Sequence, residues 1–89
     1  MKKIWKYKLH FPDCTLTMPN GAEVVHVDLQ NGIPQLWVLV DPDAVKVGRR
    51  FVVFGTGHDI PNGYQYVDTY QTPPFVWHIF EKVRSCDRQ

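Results

Sequence analysis

Apolar and polar residues alternate with a period of two along almost the whole chain, and no stretch carries the three-to-four-residue spacing of an amphipathic helix. Trp5, Tyr7, Leu9 and Phe11 are apolar while Lys6, Lys8 and His10 are polar, the pattern of a half-buried strand that Pro12 ends. After "PDC", the segment "TLTM" puts Leu16 and Met18 on one face before "PNGA" stops it. "EVVHVDLQ", Asn31-Gly32 and "IPQLWVLVD" read as a β-hairpin, because Asn-Gly accepts the two positive φ values of a type I′ turn. That turn fixes a register. It pairs Val27 with Leu36, Val25 with Val38 and Leu29 with Pro34 on an apolar face, and His26 with Trp37, Asp28 with Gln35 and Val24 with Leu39 on a mixed one. Pro34 lacks a backbone donor, which places the start of its strand at a sheet edge.

Further along, "DPDAVKVG" reads as a turn, with room for one irregular helical turn. "RRFVVFG" is apolar on both faces near its centre, as a central strand is. "YQYVDTY" sets Tyr64, Tyr66 and Tyr70 on one face, and "FVWHIFE" supplies another strand. The tail, residues 82–89, has no periodic pattern and is expected to fray. The expectation is a single all-β domain over residues 1–89. It is a small antiparallel barrel or two-layer sandwich of about six strands, meander-like, with the Asn-Gly hairpin as its most secure unit.

One loop raises a question of chemistry. "GTGHD", residues 55–59, follows an apolar strand, and its glycines let backbone N–H groups converge on an anion, with Thr56 and His58 as side-chain donors. It matches neither the P-loop nor the dinucleotide pattern, and no helix follows it. A plain hairpin loop and a phosphate cradle both remain open. The four histidines show no metal-ligand spacing, so no metal or other cofactor is expected. His58 beside Asp59 is the sole local acid–base pair, and adjacent residues are poorly placed to face one point, so an enzyme is the less favoured class. His26 and His78 read as partly buried strand residues hydrogen-bonded to neighbours.

Composition narrows the classes. Eighty-nine residues with 44% hydrophobic and 21% charged make an ordinary small domain, whose modest core invites homo-oligomerisation. The longest apolar run, "LWVLV", is too short to cross a bilayer, and the lysine-interrupted N-terminus lacks a secretory h-region, so a cytoplasmic location is expected. Cys14 and Cys86 form no CxxC pair and read as reduced thiols. A net charge of +1 argues against duplex nucleic acid, although Lys2, Lys3, Lys6 and Lys8, and separately Arg49 and Arg50, concentrate positive charge enough for a small anion.

Three Trp, four Tyr and five Phe are more aromatic side chains than so small a core hides. The surplus marks a protein interface or a stacking platform for a flat ring. A nucleotide site assembled from His26, Trp37, Arg50, Gly55, Thr56, Gly57, His58, Tyr64 and Tyr66 would stack the base and hold its phosphate.

The succession "IWKYKL…MP.GA", "QNGIPQLWVLVDP", "GTGH.IP.G..Y..T.Q" and "VWHIFE" resembles a family of small uncharacterised proteins encoded by tailed bacteriophages and prophages, and it spans nearly the whole chain. The resemblance implies a phage origin and a host bacterial cytoplasm, and it assigns no activity to particular residues. In that setting the expected function is non-enzymatic inhibition of anti-phage defence by sequestering a phosphate-bearing nucleotide signal. The alternatives are direct binding to a host defence protein such as a CRISPR effector, and a signal-degrading enzyme with His58 as base.

Overall fold

A computed structural model describes residues 1–83. Seven strands occupy the segments that alternate in the sequence: β1 Lys3–Lys8, β2 Asp13–Pro19, β3 Glu23–Gln30, β4 Ile33–Val40, β5 Lys46–Gly55, β6 Tyr64–Thr72 and β7 Phe75–Lys82. They form two antiparallel sheets, a three-stranded one in the order β1-β4-β3 and a four-stranded one in the order β2-β5-β7-β6. Among the described residues only β3–β4 and β6–β7 are hairpins. The chain crosses between layers at the prolines and glycines that end β1, β2 and β4, so the meander is confined to those two pairs.

The core lies between the sheets. Leu36, Val38 and Val40 of β4 face Met18 of β2, Phe51 and Val53 of β5 and Ile79 of β7, all buried, with Trp5, Tyr7 and Leu16 packed at the margin. Each of these sits at every second position of its strand, which is why period-2 patterning located them. Arg49 of β5 closes one end of the core. It donates from Nε and Nη2 to the Glu81 carboxylate, at 2.6 and 2.8 Å, and from Nη1 to the Ala22 carbonyl, at 2.5 Å, which ties the four-stranded sheet to the start of β3.

The hairpin turn has the predicted geometry, with φ of 53° at Asn31 and 78° at Gly32. Its register holds from Gln30↔Ile33 to His26↔Trp37 and then slips, so that Val24 pairs with Val38 and Glu23 with Leu39. Val25, expected opposite Val38, bulges out and is exposed, and Val24 takes its place against the core. Pro34 does not put β4 at an edge, since β4 is the central strand of its sheet. The β1 ladder stops at Gln35, and the Pro34 carbonyl accepts instead from the Leu9 N–H at 3.0 Å, so the missing donor falls where no partner strand runs.

Three further expectations shift. β1 ends at Lys8, leaving Phe11 outside it and 55% exposed. β5 begins at Lys46, and residues 41–45 form a turn closed by the Ala44 N–H on the Asp41 carbonyl, with no helical turn. Of the tail expected to fray, Lys82 ends β7 and the Val83 N–H donates to the Gly63 carbonyl at 2.7 Å, while residues 84–89, with Cys86, lie outside the described residues.

Candidate functional site

The loop after β5 turns tightly. The His58 N–H donates to the Gly55 carbonyl at 3.1 Å, and Gly57, third of the four residues, has φ of 91°, as a type II turn requires. The Gly55 N–H in turn points at His58 Nδ1, 3.4 Å away. Two of the N–H groups a phosphate cradle would offer are therefore engaged within the turn itself.

The four-stranded sheet carries the aromatic surplus on its outer face. Its register puts Val52, Phe80 and Tyr66 in one row across β5, β7 and β6, and Phe54, His78 and Thr69 in the next. The rings meet edge to face: Phe54 lies 5.6 Å from Tyr64 and 5.6 Å from Phe80, and Tyr66 lies 5.5 Å from Phe80. The row before these is cationic. Lys82 is paired with Tyr64 across β7 and β6, with its Nζ 5.0 Å over the tyrosine ring, and Arg50 lies on β5 next to Phe51, the partner of Glu81. The Arg50 guanidinium grips Asp13 through both oxygens, at 3.0 and 2.5 Å, and holds that carboxyl below the usual carboxylate range.

Tyr66, Thr69, His78 and Thr56 form a chain of hydrogen bonds under this face. Contacts run from the Tyr66 hydroxyl to Thr69 Oγ1 at 2.6 Å, from Thr69 to His78 Nδ1 at 3.0 Å, from His78 Nε2 to Thr56 Oγ1 at 2.7 Å, and from Thr56 to the Val76 carbonyl at 3.3 Å. One arrangement of protons on a neutral imidazole satisfies all four. Thr56 donates to Val76, His78 Nε2–H donates to Thr56, Thr69 donates to Nδ1, and Tyr66 donates to Thr69. His78 is thus the hydrogen-bonded strand histidine the sequence suggested.

The nine predicted ligand residues do not form one pocket. Arg50, Tyr64 and Tyr66 belong to the outer face of the four-stranded sheet, and Thr56 lies in the turn beyond the end of β5 with Gly55 and His58, which line one groove with it. Gly55, Gly57 and His58 stand at its far end, five residues along β5 from Arg50, or about 16 Å at the rise of a strand. His26 and Trp37 pair on the outer face of the other sheet, with rings 5.4 Å apart. His26 is exposed there, not partly buried, and stands 3.7 Å from Asp28. The single pocket fails because His26 and Trp37 share a face opposite to the buried Leu36 and Val38, and so point away from the other layer. The tyrosine row also divides. A bulge between Tyr66 and Asp68 turns Tyr70 inward to pair with Trp77, where it is buried and its hydroxyl is raised above the ordinary tyrosine value by that burial.

The family model for a domain of unknown function, DUF7352, matches residues 1–89. The chain belongs to the DUF7352 family. No curated protein matches it and no solved structure matches it.

Sequence reasoning passed over the aromatic end of this DUF7352 sandwich. Trp77 is flanked by Phe11 at 5.1 Å and Phe75 at 5.6 Å, and its Nε1–H donates to Thr72 Oγ1 at 2.8 Å. Phe75 is 58% exposed. The signal was present in "TPPFVW", where an aromatic follows two prolines at a strand start, but period-2 alternation only sets Phe75 and Trp77 on one side of a strand and does not say that this side opens at the end of the sandwich. Among the described residues no group of three His, Cys, Asp or Glu is placed to hold a metal ion, and no helix is long and apolar enough to cross a membrane.

Proposed function

We propose that this DUF7352 chain is a non-enzymatic binding protein that captures a phosphate-bearing nucleotide on the outer face of its four-stranded sheet. In the phage setting implied by the sequence resemblance, capture would withdraw an immune signal from host defence. The observation that carries the reading is the adjacency of a cationic row, Arg50 and Lys82 about Tyr64, to an aromatic row, Phe80 and Tyr66. A base stacked on an aromatic ring is worth about 1–3 kcal/mol, and it needs no sequence-specific hydrogen bonds. Arg50 is held by Asp13 through Nε and Nη2, so it would meet a phosphate through its remaining Nη1 without losing further side-chain freedom, and Lys82 supplies the cation that no carboxylate pairs among the described residues. Tyr64, Tyr66 and Arg50 keep the roles the sequence suggested, Lys82 and Phe80 join them, and His26 and Trp37 drop out.

The test is thermal. Purified protein is melted with a panel of cyclic di- and oligonucleotides, and ligand at a hundred times its Kd adds about 2.7 kcal/mol of stability, a shift of roughly 10–20 °C for a domain of this size. Tyr64→Ala and Lys82→Ala should abolish the shift while leaving the unliganded melting temperature within a few degrees. Heating should release the nucleotide with unchanged mass. A cleaved product would replace sequestration with catalysis, and no shift from any nucleotide at millimolar concentration would overturn the reading.

A further inference from the structure

Trp77 stands as a ridge between two grooves at the end of the sandwich opposite Lys82. One groove, of about 510 Å³, runs between the Gly55–His58 turn and Pro74, Phe75 and Val76. The other, of about 240 Å³, lies between Phe11, Pro34, Tyr70 and Thr72. Among the described residues no Lys, Arg, Asp or Glu lines either. Trp77 has Phe75 at 5.6 Å and Phe11 at 5.1 Å, and both phenylalanines are more than half exposed. Exposed aromatics grouped about a half-buried tryptophan are not needed to close the core, which Leu36, Phe51 and Ile79 fill without them.

We propose that this end of the molecule is an interaction surface for an uncharged, proline-rich segment of a partner protein, bound in the polyproline II conformation across Trp77. Three features of the surface select that occupant. Its walls are aromatic rings, the surfaces on which proline rings pack, and a proline-rich segment arrives already extended and loses little freedom on docking. With no Lys, Arg, Asp or Glu in either groove among the described residues, an acidic or basic segment finds no opposite carboxylate, ammonium or guanidinium there and bears a desolvation cost. The dimensions permit it, since Phe11 and Phe75 are at most about 11 Å apart through Trp77 and a polyproline II turn of roughly 9 Å lies within that bound. This surface is separate from the Tyr64 face and does not depend on nucleotide capture.

The experiment titrates a decaproline peptide into uniformly ¹⁵N-labelled protein and follows amide and indole resonances. The Trp77 indole N–H and the amides of residues 55–58 and 75–77 should move, while those of Tyr64 and Lys82 stay fixed. Phe75→Ala and Phe11→Ala should each weaken binding on the order of tenfold, as truncation of an aromatic anchor does, with melting temperatures close to that of the parent. A decaglutamate peptide should move none of these signals. The proposal is overturned if millimolar decaproline leaves the Trp77 indole unmoved, if both alanine variants bind as the parent does, or if the same signals shift with protein concentration alone, which would make a second copy the occupant.

Discussion

Replacing Gly57 separates a turn from a cradle. Its φ of 91° lies where an L-residue meets its own carbonyl, and a Cβ built there has no heavy atom within 4 Å. The cost of Gly57→Ala is therefore backbone strain alone, about 1–2 kcal/mol, offset by about 0.4–1 kcal/mol because alanine stiffens the unfolded chain. The net loss lies between about zero and 1.6 kcal/mol, and its midpoint of about 0.8 kcal/mol should lower the melting temperature by roughly 3–6 °C, since about 4–8 °C corresponds to each kcal/mol in a domain of this length. Urea unfolding followed by tryptophan fluorescence should show the midpoint falling with the slope unchanged. Gly55→Ala supplies the contrast. Its φ is not left-handed, but its methyl would stand 3.1 Å from His58 Cε1 and 3.4 Å from Trp77 Cζ3. The exposed His58 ring can swing aside, so stability should change by less than about 0.5 kcal/mol while the indole environment shifts. Neither variant touches Arg50, Lys82 or Tyr64, and nucleotide-induced shifts should survive in both. A Gly57→Ala protein as stable as its parent would refute the turn, and loss of capture without loss of stability would restore the cradle.

Arg49→Met should destabilise the domain by about 2–4 kcal/mol, somewhat under the figure for a fully buried pair, because Arg49 and Glu81 side chains retain 15% and 17% exposure. Adding Glu81→Leu should recover much of that in urea unfolding, and a double variant as unstable as the sum of the singles would refute the coupling. Tyr7 and Tyr70 are pushed above the ordinary tyrosine value by burial. Their folded values exceed the unfolded one, so the stability they contribute is complete below about pH 10 and is lost as pH rises through the folded values. Alkaline difference spectra should show a late-ionising fraction that Tyr7→Phe and Tyr70→Phe remove, and a Tyr7→Phe/Tyr70→Phe variant with an unchanged late fraction would contradict this. Burial likewise raises the Cys14 thiol, so a Cys86→Ser variant should react slowly with a disulfide reagent until denaturant is added. Rapid modification of the native variant would refute it.

The strands were legible because one face of each is buried and the other is not, and period-2 alternation reports that directly. Leu36, Val38, Phe51, Val53 and Ile79 follow from it. The assignment of strands to layers was not legible, because β1 with β4 and β2 with β5 pair within a sheet across segments far apart in sequence, with no turn to announce them. The candidate site suffered for the same reason. His26, Trp37 and the tyrosines are alike in composition and exposure, and only the assignment of strands to layers separates them. Phe11 was misread because alternation continues for three residues beyond the point where β1 loses its partner. The pattern records side-chain character, whereas the strand end is set by Pro34.

The two places where alternation fails, Val25 in β3 and Val67 in β6, share a structural cause. Both are bulges on edge strands, and β3 and β6 are the strands of opposite sheets that come closest together. An extra residue bends and twists an edge, which lets two layers converge there and keeps each edge from pairing with another chain. The bulge at Val67 also sorts the tyrosines. In a regular strand Tyr64, Tyr66 and Tyr70 would share a face, leaving either no tyrosine beside Trp77 in the core or none beside Lys82 outside. One inserted residue assigns Tyr64 and Tyr66 to the outer face and Tyr70 to the interior. The irregularity that closes the sandwich therefore also composes the surface on which a flat ligand would stack, and neither could be altered without the other.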